Sequence, residues 1–245
     1  MRSLSFTSIF AVLATALHAG PVSVTNPSFE SATLPFNAGN GPLSQVVPGS
    51  SIFPTGGTVD GWSVFSSSDT SAAAGAFDPN LSGTNWTSKW WDGNNVAYVQ
   101  TSQQGNNVDL FQVLGPLADN TKYTLTVDVG RRGFTPVFNY VIGIGPNTPP
   151  PGLALASDLN LAPNSFGTDS VSFTTGPHAA SSGKSLEIDL STVGGDGFTE
   201  AFFDNVRVDA TAAVPEPGTL GLLLAGCLAA GIGRSVSVIR RKMKG

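Results

Sequence analysis

Between Tyr123 and Val129 the chain alternates strictly. Tyr123, Leu125, Val127 and Val129 point one way, and Thr124, Thr126 and Asp128 the other. A period of two is the repeat of a β-strand with one buried and one solvated face. The same signal recurs in Ser185-Leu186-Glu187-Ile188-Asp189-Leu190, in Val171-Ser172-Phe173 and in Val206-Arg207-Val208. Further strands are predicted over residues 22–25, 62–65, 96–100, 108–114, 138–144 and 152–156. Turn sequences separate them: Asp92-Gly93-Asn94, Gly105-Asn106, Asp119-Asn120, Pro149-Pro150-Pro151-Gly152 and Gly194-Gly195-Asp196-Gly197. About ten short strands of this kind predict an all-β fold, an antiparallel sandwich. Residues 20–213 contain no helix-period stretch of useful length and no internal repeat. Residues 37–82, dominated by Gly, Ser, Thr, Ala and Pro, read as long loops at one end of the sandwich.

Charge narrows the partners. Between Gly20 and Ala213 stand 16 acidic and 6 basic residues, a net charge of −10. That excludes a nucleic-acid partner, which needs a basic face, and it suits cation binding. The one cysteine, Cys227, lies near the C-terminus. Residues 20–213 therefore form no disulfide and offer no thiolate to a metal.

The two ends of the chain carry addresses. Met1-Arg2, an apolar core from Ile9 to Leu17, and small residues at Ala14-Thr15-Ala16 and Leu17-His18-Ala19 read as a secretory signal peptide over residues 1–19, cleaved after Ala19 or Ala16. At the other end Pro215, Glu216 and Pro217 precede an apolar stretch, Leu220 to Gly233, and the basic end Arg240-Arg241-Lys242. A permanent anchor needs about 20 apolar residues. This stretch falls short unless it continues past Arg234 to Ile239, with Arg234 snorkelling to the interface. The prolines keep the neck before it extended and open to a protease. Residues 214–245 resemble the PEP-CTERM sorting tail of bacterial surface proteins. The resemblance implies export, an exosortase-type processing enzyme as partner, and a transmembrane helix that anchors the chain in the inner membrane, C-terminus cytoplasmic, until the tail is removed. It implies a final place at the cell surface or in the extracellular matrix.

Residues 20–213 read as one domain carrying a series of short motifs: Asn26-Pro27-Ser28-Phe29-Glu30, Gly61-Trp62-Ser63-Val64, Gly93-Asn94-Asn95-Val96-Ala97-Tyr98-Val99-Gln100, Asn120-Thr121-Lys122-Tyr123, and Phe203-Asp204-Asn205-Val206. Their order resembles the galactose-binding-like jelly roll of carbohydrate-binding modules. The resemblance implies a structural Ca2+ tying the loop after the first strand to the last strand, with Glu30 and Asp204 as its carboxylates; calcium takes six to eight oxygen donors. Independently, Trp86, Trp90, Trp91 and Tyr98 crowd one segment beside Asp92 and Asn94. Aromatic faces stack on sugar rings while the polar neighbours hydrogen-bond, so this cluster is the candidate for a polysaccharide site. If Trp90 and Trp91 sit in an alternating strand, one is buried and the other exposed or at the rim.

Catalysis finds no familiar motif. His178 is the one histidine of residues 20–213, in a Gly/Ser/Pro-rich segment, and there is no nucleophile elbow, P-loop, dinucleotide fingerprint or zinc spacing. Arg131 and Arg132 end a strand and read as solvated edge charges. Glu187 and Asp189 share a strand face, as paired glycosidase carboxylates would, but on its polar side. The sequence thus describes an exported, non-enzymatic surface or matrix protein. A carbohydrate-binding module is the alternative, and a glycoside-active enzyme the third reading.

Overall fold

The computed structural model describes residues 20–31, 59–66, 73–77, 79, 89–101, 107–133, 138–147, 153–157, 159–193 and 199–213. The signal peptide, Trp86, the sorting signal Pro215-Glu216-Pro217 and the C-terminal apolar stretch lie outside them. Among the described residues no helix is long and apolar enough to cross a membrane.

Eleven strands among the described residues form two antiparallel sheets: β1 Gly20–Val22, β2 Ser63–Ser66, β3 Ala73–Phe77, β4 Val96–Thr101, β5 Asn107–Pro116, β6 Thr121–Arg131, β7 Val141–Pro146, β8 Ala154–Ala156, β9 Ser165–Thr174, β10 Ser185–Val193 and β11 Thr199–Ala212. One sheet runs β3-β4-β11-β6-β9, with β1 also paired to β11; the other runs β2-β5-β10-β7-β8. The fold is therefore the all-β antiparallel sandwich that the alternation demanded. Tyr123, Leu125, Val127 and Val129 of β6 and Leu186, Ile188 and Leu190 of β10 bury the faces predicted for them, and they meet in one core between the sheets.

Several boundaries differ from the sequence reading. β1 ends at Val22 rather than Thr25 because the Gln112 side chain takes over the Thr25 backbone: Thr25 N donates to Gln112 Oε1 at 2.8 Å, and Gln112 Nε2 donates to Thr25 O at 3.0 Å. Within the stretch read as loops, Ala73–Phe77 is a strand, paired along its whole length with β4.

β11 gives the six-stranded sheet two different faces. It crosses the middle of that sheet with Ala201 and Phe203 facing the core, and further along Val206 and Val208 do the same. Alternation alone cannot place both pairs inside. A bulge between Asp204 and Arg207, with Asn205 at φ 51°, resets the register. The residues between the inward ones, Glu200, Phe202 and Asp204, face outward, yet all three are buried. Something covers the outside of this sheet.

Candidate active site on the outer face of the six-stranded sheet

The cover is the segment leading from β3 to β4. Its turn, Asp92 to Asn95, is held by two carboxylates from elements distant in sequence. Glu30 Oε1 accepts hydrogen bonds from Asn94 N (2.9 Å) and Asn95 N (2.7 Å), and Asp204 Oδ2 accepts from Asp92 N (2.5 Å). Gly93, at φ 64°, lies so close to the Glu30 carboxylate that a side chain there would collide with it. Ser28 Oγ adds a hydrogen bond to Asp92 Oδ2 at 3.3 Å. Glu30 and Asp204 thus meet at one turn, as the calcium expectation required. Here, however, both carboxylates accept from backbone N–H groups, and among the described residues no three Asp, Glu, His or Cys side chains are grouped to hold a metal. Burial pushes the Asp204 carboxyl up to about 7; hydrogen bonds from Asp92 N and Asn205 N oppose the shift, and the like charges of Asp92 and Asp128 add to it.

This anchored turn lays Trp90 and Trp91 on the sheet. With Val96 and Tyr98 of β4 and Phe202 of β11 they form a second apolar cluster, separate from the main core. Phe202 stands opposite Tyr98 on one side and Gly130 of β6 on the other. The Trp90 ring rests directly on Gly130, where a Cβ would overlap its six-membered ring. It stacks on Phe166 of β9 (centroids 5.7 Å apart, 16° between planes) and meets the edge of Trp91 at 6.0 Å and 88°. Both tryptophans are 8 % exposed. The glycan-platform expectation for Trp90, Trp91, Asp92, Asn94 and Tyr98 is corrected here. The tryptophans are not in a strand, so neither is forced outward. Asp92 and Asn94 are engaged in holding the turn.

The same outer face of the sheet carries a charge. Glu200 of β11 is 4 % exposed, and Arg132, just past β6, approaches it at 3.5 Å. Burial lowers the Arg132 guanidinium from its ordinary value and Glu200 partly restores it. Burial, and then the Glu200 charge, push the Tyr98 phenol well above its usual range, so Tyr98 stays protonated and acts as a hydrogen-bond donor at any working pH. Arg132 is thus no solvated edge charge, nor is Arg131, which donates from Nη1 to Leu161 O at 2.7 Å. A carboxylate, a guanidinium and a phenol on a sheet face that also carries an aromatic cluster can hold an apolar aromatic molecule and manage a proton or a cation on it. Sequence reasoning missed Glu200, Phe202, Gly130 and Phe166, and misread Arg132. One signal was available: from Ala201 to Phe203 the chain is apolar on both strand faces, which a strand with a wet face does not show.

Comparison with known proteins gives the family. A family model described as HpiC1-like, HpiC1 cyclase, matches residues 20–209. The structure of the Stig cyclase Fisc from Fischerella sp. TAU in complex with (3Z)-3-(1-methyl-2-pyrrolidinylidene)-3H-indole is similar at 26% identity and TM-score 0.60, over 80% of this chain and 100% of that one. A cyclase from Fischerella sp. TAU in complex with 4-(1H-indol-3-yl)butan-2-one matches at 25% identity and TM-score 0.59, again over 80% and 100%. An apo cyclase from Fischerella sp. matches at 25% identity and TM-score 0.61, over 80% and 98%. No curated protein sequence matches.

These findings correct the functional reading of the sequence. The chain is not to be classed as a PEP-CTERM surface or matrix protein with a carbohydrate-binding-module-like body, and the non-enzymatic assignment falls with it. The tail on which that class rested lies beyond the matched residues and outside the described ones, and an address does not report the chemistry of the body. The absence of a catalytic motif misled because the charged groups of this site come from separate strands. The match runs from β1 into β11, and on it the chain belongs to the HpiC1-like cyclase family.

Proposed function

We propose that the chain is a cyclase that closes a ring on an indole-bearing, largely apolar substrate, at the outer face of the six-stranded sheet. The observation that carries this reading is Glu200, a buried carboxylate paired with Arg132 on the same outer sheet face as Tyr98 and Phe202. When a carbon of an indole ring attacks an electrophilic carbon, positive charge develops on the ring nitrogen. A carboxylate in a water-poor site stabilises that charge and takes the N–H proton. Arg132 keeps Glu200 ionised for this task, and the Tyr98 phenol offers a hydrogen bond to the group that gains electron density. The relatives in complex with indole compounds support the substrate class.

The test is direct. The purified body is titrated with 3-substituted indoles, with binding followed by fluorescence and ring closure by mass spectrometry and NMR of the products. A protein that binds none of them and closes no ring sinks the proposal. Within it, Arg132→Leu is expected to lower kcat by roughly 10–100-fold and to move the acidic limb of the pH profile upward, because a carboxylate without its guanidinium protonates at higher pH. An unchanged pH profile would remove Arg132 from the mechanism.

A structural calcium ion completes the reading. Glu30 and Asp204 reach one turn beside the Ser28 hydroxyl, and a hard cation there would take carboxylate oxygens together with main-chain carbonyls. The like charges of Asp92 and Asp204 favour an ion there. Its role would be to fix the turn that carries Trp90 and Trp91. A ligand at 100 times its Kd stabilises a fold by about 2.7 kcal/mol, which for a domain of this size raises Tm by about 5–10 °C. Calorimetry in calcium and in EDTA measures it, and coincident midpoints would exclude the ion.

A further inference from the structure

The aromatic slot on Gly130 already holds an indole, that of Trp90. We propose that Trp90 is a built-in stand-in for the substrate ring, which must leave the slot between Gly130, Phe166 and Trp91 before an indole substrate can enter. This rests on the proposed cyclase function and specifies how its site is occupied.

The slot is shaped for a flat ring: glycine forms its floor, Phe166 lies parallel to the ring at 5.7 Å and Trp91 stands edge-on at 6.0 Å. That is the geometry that favours any planar aromatic, not an indole fixed to one backbone position. Rotation of the Trp90 side chain out of the slot leaves the strand ladder intact. Trp90 belongs to no strand, and the turn that follows it is held by hydrogen bonds at Asp92 N, Asn94 N and Asn95 N. The ring also covers a polar group: the cluster it completes contains Tyr98, whose phenol lies on the sheet face that carries Glu200. Finally, the sheet has its full core on the opposite face, so the second cluster is not needed to pair the sheets. An occupant that shares the substrate's ring chemistry keeps water out of the resting site and yields to a ligand that buries an equal aromatic surface.

The alternative is that Trp90 is a fixed wall on which the substrate stacks. The two assignments predict opposite signs. With 4-(1H-indol-3-yl)butan-2-one as probe, Trp90→Ala is expected to lower Kd at least 10-fold relative to the wild type, since the competing ring is gone. Gly130→Ala, which fills the floor of the slot, is expected to raise Kd at least 10-fold. An unchanged or higher Kd for Trp90→Ala overturns the proposal. Against loss of fold in that variant, wild-type protein carrying 5-fluorotryptophan is titrated with the probe and followed by 19F NMR, with Trp90 assigned through Trp90→Phe. The Trp90 resonance is expected to move to a solvent-exposed shift at saturation; a Trp90 resonance that keeps its buried shift while the probe binds overturns the proposal. Failure here is separable from failure of the cyclase reading. Ring closure that depends on Glu200 but comes with a stationary Trp90 overturns only the stand-in, whereas no probe binding and no ring closure in any form overturns both.

Discussion

Glu200→Gln is expected to reduce ring closure by about 10²–10⁴-fold, the range removed with a group that handles a proton or charge in the transition state. The substitution keeps the side chain's shape and removes its charge and basicity. A neutral amide at this buried position is easier to desolvate than a carboxylate, which by itself favours stability. The neutral amide no longer answers Arg132, whose buried guanidinium loses its ion pair with Glu200. Part of any lost stability will come from there. The double variant Glu200→Gln/Arg132→Leu separates the two effects, since it removes both charges together. Turnover assays with circular dichroism on the same preparations decide the matter. If Glu200→Gln retains more than a tenth of wild-type kcat while folded, another residue carries the chemistry.

The strands were legible because their signal is local. Tyr123 to Val129 and Ser185 to Leu190 alternate over neighbouring residues, and the structure buries the predicted faces. β3 was not legible for the same reason in reverse. Ala74, Gly75 and Ala76 have little β-propensity of their own and form a strand because β4 supplies their hydrogen bonds. The site was harder still. Tyr98, Gly130, Phe166 and Glu200 lie on β4, β6, β9 and β11, and only the sheet order makes them neighbours. The tryptophans stand out in the sequence, but as a platform. Aromatic residues beside asparagine and aspartate look the same in sequence whether their rings face a sugar or lie against a sheet. What distinguishes the two is the pair of anchors, Glu30 and Asp204, which turn the segment inward onto the sheet. Their convergence was expected from the jelly-roll resemblance; its consequence for Trp90 was not.

The five-stranded sheet carries a second buried charge with a different consequence, for stability rather than chemistry. Glu187 and Asp189 of β10 face outward, as alternation requires, but they are not on a wet face. Asp189 stands between Phe111 of β5 and Gly143 of β7, and the side chains of Leu153 and Leu155 fold over Gly143 beside it. Its Oδ1 is buried with no hydrogen-bond partner among the described residues. Burial, then the charges of Asp109 and Glu187, push the Asp189 carboxyl up to about 8. In the unfolded chain it titrates near 3.8. Between these values the folded protein holds a proton that the unfolded chain has released, so stability must fall as pH rises. The loss begins near pH 4, is complete near pH 8, and is absent below that window. The full shift at about 1.4 kcal/mol per unit is an upper bound, because Asp109 and Glu187 share the titration; a loss on the order of 2–4 kcal/mol is expected. Asp189→Asn removes this term and fits the same space. At pH 8 and constant calcium its Tm should exceed that of the wild type by about 5–10 °C, and the gap should close toward pH 4. Because Asp204 and Glu187 are also raised and contribute in both proteins, the difference between the two curves, not either curve alone, reads Asp189. Melting curves that run parallel from pH 4 to pH 8 would mean that Asp189 is solvated and ionised throughout.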